Sequence, residues 1–270
     1  MEKTLYLIDA HALIYRAYYA FIRRPLITTK GENTSAIFGF MRMVLKLIHD
    51  EKPEYLVCVF DSRKKTFRHE MYEEYKAKRM KPPEDLGSQV LTIRELVQKL
   101  GLSRVEMDGF EADDLIGTMV VKAREQGFRS VIVSSDKDVL QLVDEGVIVY
   151  ANKKGISEMD VIDRGKVHEL WSVWPEHMRD LLALMGDQSD NVPGVKGIGQ
   201  ATAVKLIQQF GSIEELFADL GRVESDRTRG LLFKGKQDAF LSKQLVSIRK
   251  DVPIQVRIDE FRMEDFPVAT

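Results

Sequence analysis

Tyr55-Leu-Val-Cys-Val-Phe-Asp61 is an unbroken apolar run of strand length that stops at a carboxylate. The same form recurs at Leu5-Tyr-Leu-Ile8, ending at Asp9, and at Ser130-Val-Ile-Val-Ser134, ending near Asp136 and Asp138. A further apolar run occupies Val147-Ile-Val-Tyr150. Strands that are apolar at successive positions, not at alternate ones, are buried on both faces. Helical spacing separates them: Ile37, Phe40, Met41, Val44, Leu45 and Ile48 within 34–49; Leu91, Leu96, Val97 and Leu100 within 88–100; and the stretch 111–125. The alternation predicts an α/β fold, a central mostly parallel sheet flanked by helices.

Parallel sheets bind ligands outside the carboxyl ends of their strands, and Asp9, Asp61, Asp136 and Asp138 all fall there. Any one of them reads equally well as an ordinary helix cap. Together they read as a site, and Glu111-Ala-Asp113-Asp114 adds acids at the start of a helix, where the dipole also favours them. Asp187 and Asp190 belong to Met185-Gly-Asp-Gln-Ser-Asp-Asn-Val-Pro-Gly-Val-Lys-Gly-Ile-Gly199, which runs from a carboxylate pair into a glycine-punctuated turn and a helix over 200–210. Crowded ionised carboxylates need cations. Oxygen-only ligands suit magnesium or manganese, two ions about 4 Å apart being one arrangement that such a set can hold. The five histidines, His11 among them, show no metal-binding spacing, and with Cys58 as the one cysteine neither an internal disulfide nor a cysteine-rich zinc site is possible.

Between Arg63 and Lys81 the chain places Arg63, Lys64, Lys65, Arg68, Lys76, Lys78, Arg79 and Lys81 against Glu70, Glu73 and Glu74, with Phe67, Tyr72 and Tyr75 interleaved and Pro82-Pro83 as a stop. Cations that grip phosphate, beside aromatics that stack bases, fit a nucleic-acid strand. A solvated amphipathic helix fits the same composition. After Tyr150 the pattern turns helical, with Trp171 and Trp174 read as packing residues. At Gly194-Val-Lys-Gly-Ile-Gly199 the turn amides and the following helix start can hold a phosphate without reading a base. Arg222, Arg227, Arg229, Lys234, Lys236 and Lys243 extend that surface or are plain solvated charge. The overall balance, 40 basic against 42 acidic residues, decides nothing about partners. Met1 to Phe21 is interrupted by Asp9, His11 and Arg16, so it predicts neither a signal peptide nor a membrane span.

The motifs Leu7-Ile-Asp9, Val59-Phe-Asp61, Tyr75-Lys-Ala-Lys-Arg79, Glu111-Ala-Asp-Asp114, Ser134-Ser-Asp-Lys-Asp138 and Gly186-Asp-Gln-Ser-Asp-Asn191 resemble those of the 5′ nuclease domain at the amino terminus of bacterial family A DNA polymerases, within the flap endonuclease family. The resemblance spans nearly all of residues 3–255. It implies a magnesium-dependent 5′ to 3′ exonuclease and 5′ flap endonuclease of replication and repair. Asp9, Asp61, Glu111, Asp113, Asp114, Asp136, Asp138, Asp187 and Asp190 match the family's metal-site acids. Arg68, Lys76 and Arg79 match the catalytic cations of a basic arch at about 63–85. Contacts to DNA are expected from Arg16, Lys64, Lys65, Tyr75, Gly194, Lys196, Gly197, Gly199 and Lys205, the segment 192–210 matching a helix-hairpin-helix-related motif that often carries potassium. The expected organisation is a nuclease core over 1–180, a helical duplex-binding region over 181–260 and a tail over 261–270. The expected partners are branched or 5′-flap DNA and RNA-DNA primer strands, met by a monomer in the bacterial cytoplasm, with no membrane. A catalytically silent junction-binding module and a PIN-like ribonuclease remain alternatives.

Overall fold

The computed structural model describes residues 3–79, 81–154 and 158–264. The apolar runs form strands β1 (Lys3–Asp9), β2 (Tyr55–Val59), β4 (Phe128–Val133) and β5 (Val147–Lys154), joined by β3 (Ser103–Val105) and β6 (Glu158–Ile162) in the order β3-β2-β1-β4-β5-β6. Every pairing is parallel except β5 with β6. The sheet is therefore mixed, mostly parallel as predicted, with one antiparallel edge.

The helices in chain order are α1 (Ala10–Ala20), α2 (Ser35–Glu51), α3 (Phe67–Met71), α4 (Glu84–Lys99), α5 (Ala112–Glu125), α6 (Arg164–Trp171), α7 (Met178–Met185), α8 (Gln200–Phe210), α9 (Ile213–Ala218) and α10 (Asp226–Val246). Successive residues of β1 serve opposite faces. Tyr6 and Ile8 pack with α1, α2 and α4, while Leu5 and Leu7 join the larger core with α5 and the carboxy-terminal helices. Fully burying one such aliphatic side chain contributes about 1.5–3 kcal/mol. Cys58 lies in the middle of β2 with no exposure, and burial pushes its thiol up to about 12. Among the described residues no helix is long and apolar enough to cross a membrane.

Details of the helical reading shift. Phe40, Val44, Ile48 and Val97 are buried as expected, but Leu45, Leu91 and Leu100 are exposed, Met43, Leu47, Leu86 and Ile93 completing the buried faces. Trp171 packs on the core, whereas Trp174 is 42% exposed and stacks on His168. Lys243 is held by Asp180 and Glu214, so it does not extend a phosphate-binding surface. In the expected tail, Phe261 is buried and the Met263 amide bonds the Glu54 carbonyl at 2.8 Å, while 265–270 lie outside the described residues.

Two corrections bear on function. Arg68, expected on the surface of the arch, is 1% exposed. Its guanidinium donates to both oxygens of Asp114 at 2.6 and 2.8 Å and to the carbonyls of Leu245 and Ser247 at 2.7 and 2.9 Å. It thus pins α3 to α5 and to the end of α10, and cannot reach a DNA strand. Gly194, expected to hold phosphate, is buried, and its amide donates to Ser242 Oγ at 2.8 Å. Its φ is +58°, and an added Cβ would sit 2.4 Å from the Gly186 nitrogen, so only glycine fits this backbone crossing.

Arg68→Met should lower unfolding free energy by about 3–5 kcal/mol, because Asp114 would be left buried without its partner. Lys78→Met, at an exposed position, should change it by less than about 0.5 kcal/mol. Denaturant titration of both variants checks the contrast. Gly194→Ala should cost more than about 2 kcal/mol from strain and overlap, read the same way.

Candidate active site

Strand order reverses at β1, which leads to β2 on one side and to β4 on the other. Ligand crevices open at such a point. Asp9 ends β1 and caps α1, its Oδ1 accepting from the Ala12 amide at 3.1 Å and its Oδ2 from Ser134 Oγ at 2.8 Å. Asp61, beyond β2, accepts the Ala112 amide at 2.7 Å, so it fixes the start of α5. Glu111 and Asp113 enter from that start, and Asp136 and Asp138 from the turn after β4. Asp190 arrives on the loop after α7, where Asp187 and Val192 form an isolated bridge.

These side chains surround one cavity of about 410 Å³ lined by Asp9, Asp61, Glu111, Asp113, Asp136, Asp138 and Asp190, with His11, Tyr15, Tyr19, Lys76 and Arg79 also in its wall. Lys76 Nζ donates to Glu111 at 2.6 Å and stands 3.8 Å from Asp190, while Arg79 bonds Asp190 at 2.5 and 2.8 Å. Lys76 has a φ of 58°, and its amide donates to the Asp190 carbonyl at 2.8 Å. Left-handed backbone costs a non-glycine residue about 1–2 kcal/mol, so this loop is held in place by its contacts.

Charge is unevenly compensated. Burial, with Asp61 and Asp136 nearby, raises Asp9 to about 7, and burial with Asp136 raises Asp138 to about 7. Asp113 is raised well above the ordinary carboxylate range, burial with Asp114 and Glu111 outweighing Arg68. Burial alone would raise Asp61 too, but His11, the Ala112 amide, Lys76 and Arg79 hold it below its ordinary value. The His11 Nδ1 accepts from the Asp61 amide at 3.1 Å, and burial lowers the imidazole.

Among the described residues no three carboxylate or imidazole groups converge closely enough to clasp a single ion. Lys76, Arg79 and Lys137 instead pair with Glu111, Asp190 and Asp187. The donor set nevertheless suits hard divalent cations, being rich in carboxylate oxygen and free of thiolate. Asp138 Oδ1 is buried with no hydrogen-bond partner, the Lys137 ammonium standing 3.8 Å away, and a bound cation would satisfy it.

Two acids of the expected set stand apart. Asp114 is fully buried behind the cavity in the grip of Arg68, and Asp187, which does not line the cavity, is tied to Lys137 and Ser189. Tyr75 also lines the cavity, but it is 4% exposed, donates to Glu111 at 3.1 Å and packs with Leu182, Val192 and Leu245. Lys64 reaches Asp108, Lys65 is exposed, and Arg16 donates to the Asn152 carbonyl at 3.5 Å. Lys196, Gly197, Gly199 and Lys205 are exposed around the start of α8. Sequence reasoning missed Ser134, Lys137 and the stacked pair Tyr15 and Tyr19, whose ring centroids are 6.4 Å apart. The first two lie inside the motif Ser134-Ser-Asp-Lys-Asp138, and the tyrosines recur one helical turn apart just after Asp9.

Two family models match the chain: the amino-terminal resolvase-like domain of 5′-3′ exonucleases over residues 4–172, and their carboxy-terminal SAM fold over 173–268. DNA polymerase I of Bacillus caldotenax is 39% identical over 96% of this chain and 29% of its own length, and that of Deinococcus radiodurans is 42% identical over 99% and 27%. The chain thus spans about three tenths of the polymerases that it matches. A 5′-3′ exonuclease of Aquifex aeolicus is 38% identical over 97% of this chain and 87% of its own length. Among solved structures, T5 5′-exonuclease with divalent metal ions (zinc) bound superposes with a TM-score of 0.74 at 21% identity, covering 90% of this chain and 89% of that one. The catalytic core of Rad2 in complex with a DNA substrate gives 0.57 at 19%, covering 96% and 83%. By the family models and these relatives, the chain belongs to the 5′-3′ exonuclease family.

Proposed function

We propose that the chain hydrolyses DNA phosphodiester bonds as a magnesium-dependent 5′ to 3′ exonuclease and structure-specific 5′ flap endonuclease. The observation that carries this reading is the ring of seven carboxylates, delivered by separate elements to one cavity, with Lys76 and Arg79 in its wall. Asp9, Asp61, Glu111, Asp113, Asp136, Asp138 and Asp190 would hold the ions, with Asp187 beside them and Asp114 behind. Magnesium, or manganese in its place, would supply two ions that activate water and neutralise the leaving 3′ oxygen. Lys76 and Arg79 exchange their carboxylate partners for the scissile phosphate and counter its growing charge. Gly197, Gly199 and the first amides of α8 meet a duplex phosphate, with Lys196 and Lys205 nearby, and that turn is where potassium would sit. The substrates are branched DNA and RNA-DNA primer strands, handled by a monomer in the bacterial cytoplasm.

A labelled 5′ flap, a 3′ flap, a blunt duplex, single-stranded DNA and single-stranded RNA, each tested with magnesium and with chelator, provide the test. Cleavage should be chelator-sensitive and centred on the 5′ flap junction, with little sequence preference. Preferential cutting of RNA or of the 3′ flap overturns this reading, and binding without cutting in either metal favours a silent junction module. Asp61→Ala and Asp136→Ala should each lower turnover at least about a hundredfold while retaining most DNA affinity. Lys76→Ala and Arg79→Ala should lower it about ten- to a hundredfold, with a shallower salt dependence of binding.

Metal-free stability supplies an independent check. Asp9 and Asp138 bind protons more tightly in the folded chain, up to about 7, than the ordinary carboxylate value near 3.8. The folded state therefore holds extra protons between those values, and their contribution to stability falls as pH rises through that window. Asp138→Asn should stabilise the metal-free protein at pH near 8 by on the order of 1 kcal/mol, measured by melting in chelator, and should abolish the gain that magnesium gives the parent.

A further inference from the structure

Beside the acidic cavity lies a second one of about 390 Å³, and the two share His11, Tyr15 and Asp61. Part of its wall is apolar, formed by Pro82 and by Leu86, Val90 and Leu91 of α4. Leu91 is 48% exposed there, although it lies on a helix whose other large aliphatics are mostly covered. Arg63 and Arg94 supply positive charge to the same cavity.

Arg94 is only 3% exposed. One terminal nitrogen pairs with Glu106, the other donates to the Asp61 carbonyl at 3.2 Å, and the guanidinium lies 4.8 Å from the centroid of the Phe60 ring. Its Nε–H is buried with no hydrogen-bond partner. A buried donor without an acceptor is an unfavourable state that an anionic oxygen relieves.

We propose that this annex binds the deoxynucleotide on the 5′ side of the scissile phosphate, its base against Leu86, Val90 and Leu91 and its 5′-phosphate at Arg63 and Arg94. The assignment rests on the nuclease reading above. Hydrolysis that leaves a 5′-phosphate on one strand breaks the bond to the 3′ oxygen of the preceding nucleotide. That nucleotide must present its 3′ oxygen to the acidic cavity and extend away from it, and the shared wall of His11, Tyr15 and Asp61 opens in one such direction. The volume suits one nucleotide and lies near the low end for small-molecule sites. The apolar side chains carry no hydrogen-bonding groups, so the annex accepts any base.

Gly87 of α4 lines the annex, and a Cβ built on it meets nothing within 4 Å. Gly87→Phe therefore fills the space while leaving the acids, Lys76 and Arg79 untouched. The variant should melt as the parent does and bind a blunt hairpin duplex equally well, yet cut a 5′ flap about ten- to a hundredfold more slowly. In chelator, dAMP should bind the parent at least about tenfold more tightly than deoxyribose 5-phosphate or inorganic phosphate does, and Gly87→Phe and Arg63→Gln should each weaken dAMP by about tenfold. Equal dAMP affinity in parent and Gly87→Phe, or dAMP no tighter than inorganic phosphate, overturns the annex while flap cleavage by the parent still upholds the nuclease reading. The reverse result, dAMP binding in the expected order with no substrate cut in magnesium, retains the annex and removes the nuclease reading.

Discussion

Mutual repulsion among buried carboxylates is the constraint around which this molecule is arranged. A parallel sheet sends its strand ends to one edge, so Asp9, Asp61 and the Asp136 turn meet there whatever the rest of the chain does. Bringing α5 and the loop after α7 to the same edge adds Glu111, Asp113 and Asp190. The raised values of Asp9, Asp113 and Asp138 record burial first and neighbouring carboxylates second, and the pairings of Lys76, Arg79 and Lys137 are the local answer to them. A site assembled in this way is poised for added positive charge.

Most of the fold was legible because its strands are apolar on both faces. The β1, β2, β4 and β5 runs stand out for that reason, and α8 was read at its observed limits. What escaped had weak local signals. Strand β3 is three residues with a central arginine, and β6 alternates polar with apolar on an edge, so neither carries a buried-strand run. Helix α1 follows β1 with no turn between them, which hid the change of period.

The site was legible as a set of acids, and less so as a geometry. Arg68 and Tyr75 sit in a run of charge that reads as surface, but their partners are remote: Asp114 is 46 residues from Arg68, and Leu245 is 177. No local pattern announces such a contact. Gly194 was misread for a similar reason, since the backbone that demands a glycine belongs to Met185 and Gly186 and the amide's acceptor is the Ser242 hydroxyl, brought near only by folding. The Arg68 contact also joins α3 and α5 to the end of the longest carboxy-terminal helix, directly behind the acidic cavity.

Cys58 gives the molecule an internal witness to its own integrity. Its sulfur lies at the centre of β2, without exposure and with a thiol held up to about 12, so in the native state it is neither accessible nor ionised. Oxidants and thiol reagents reach it only when the central sheet itself comes apart. Fraying of the arch or of the chain ends leaves it silent. The rate at which this single sulfur is trapped therefore follows opening of the sheet that positions the acids, separately from motion in the segments that would handle DNA.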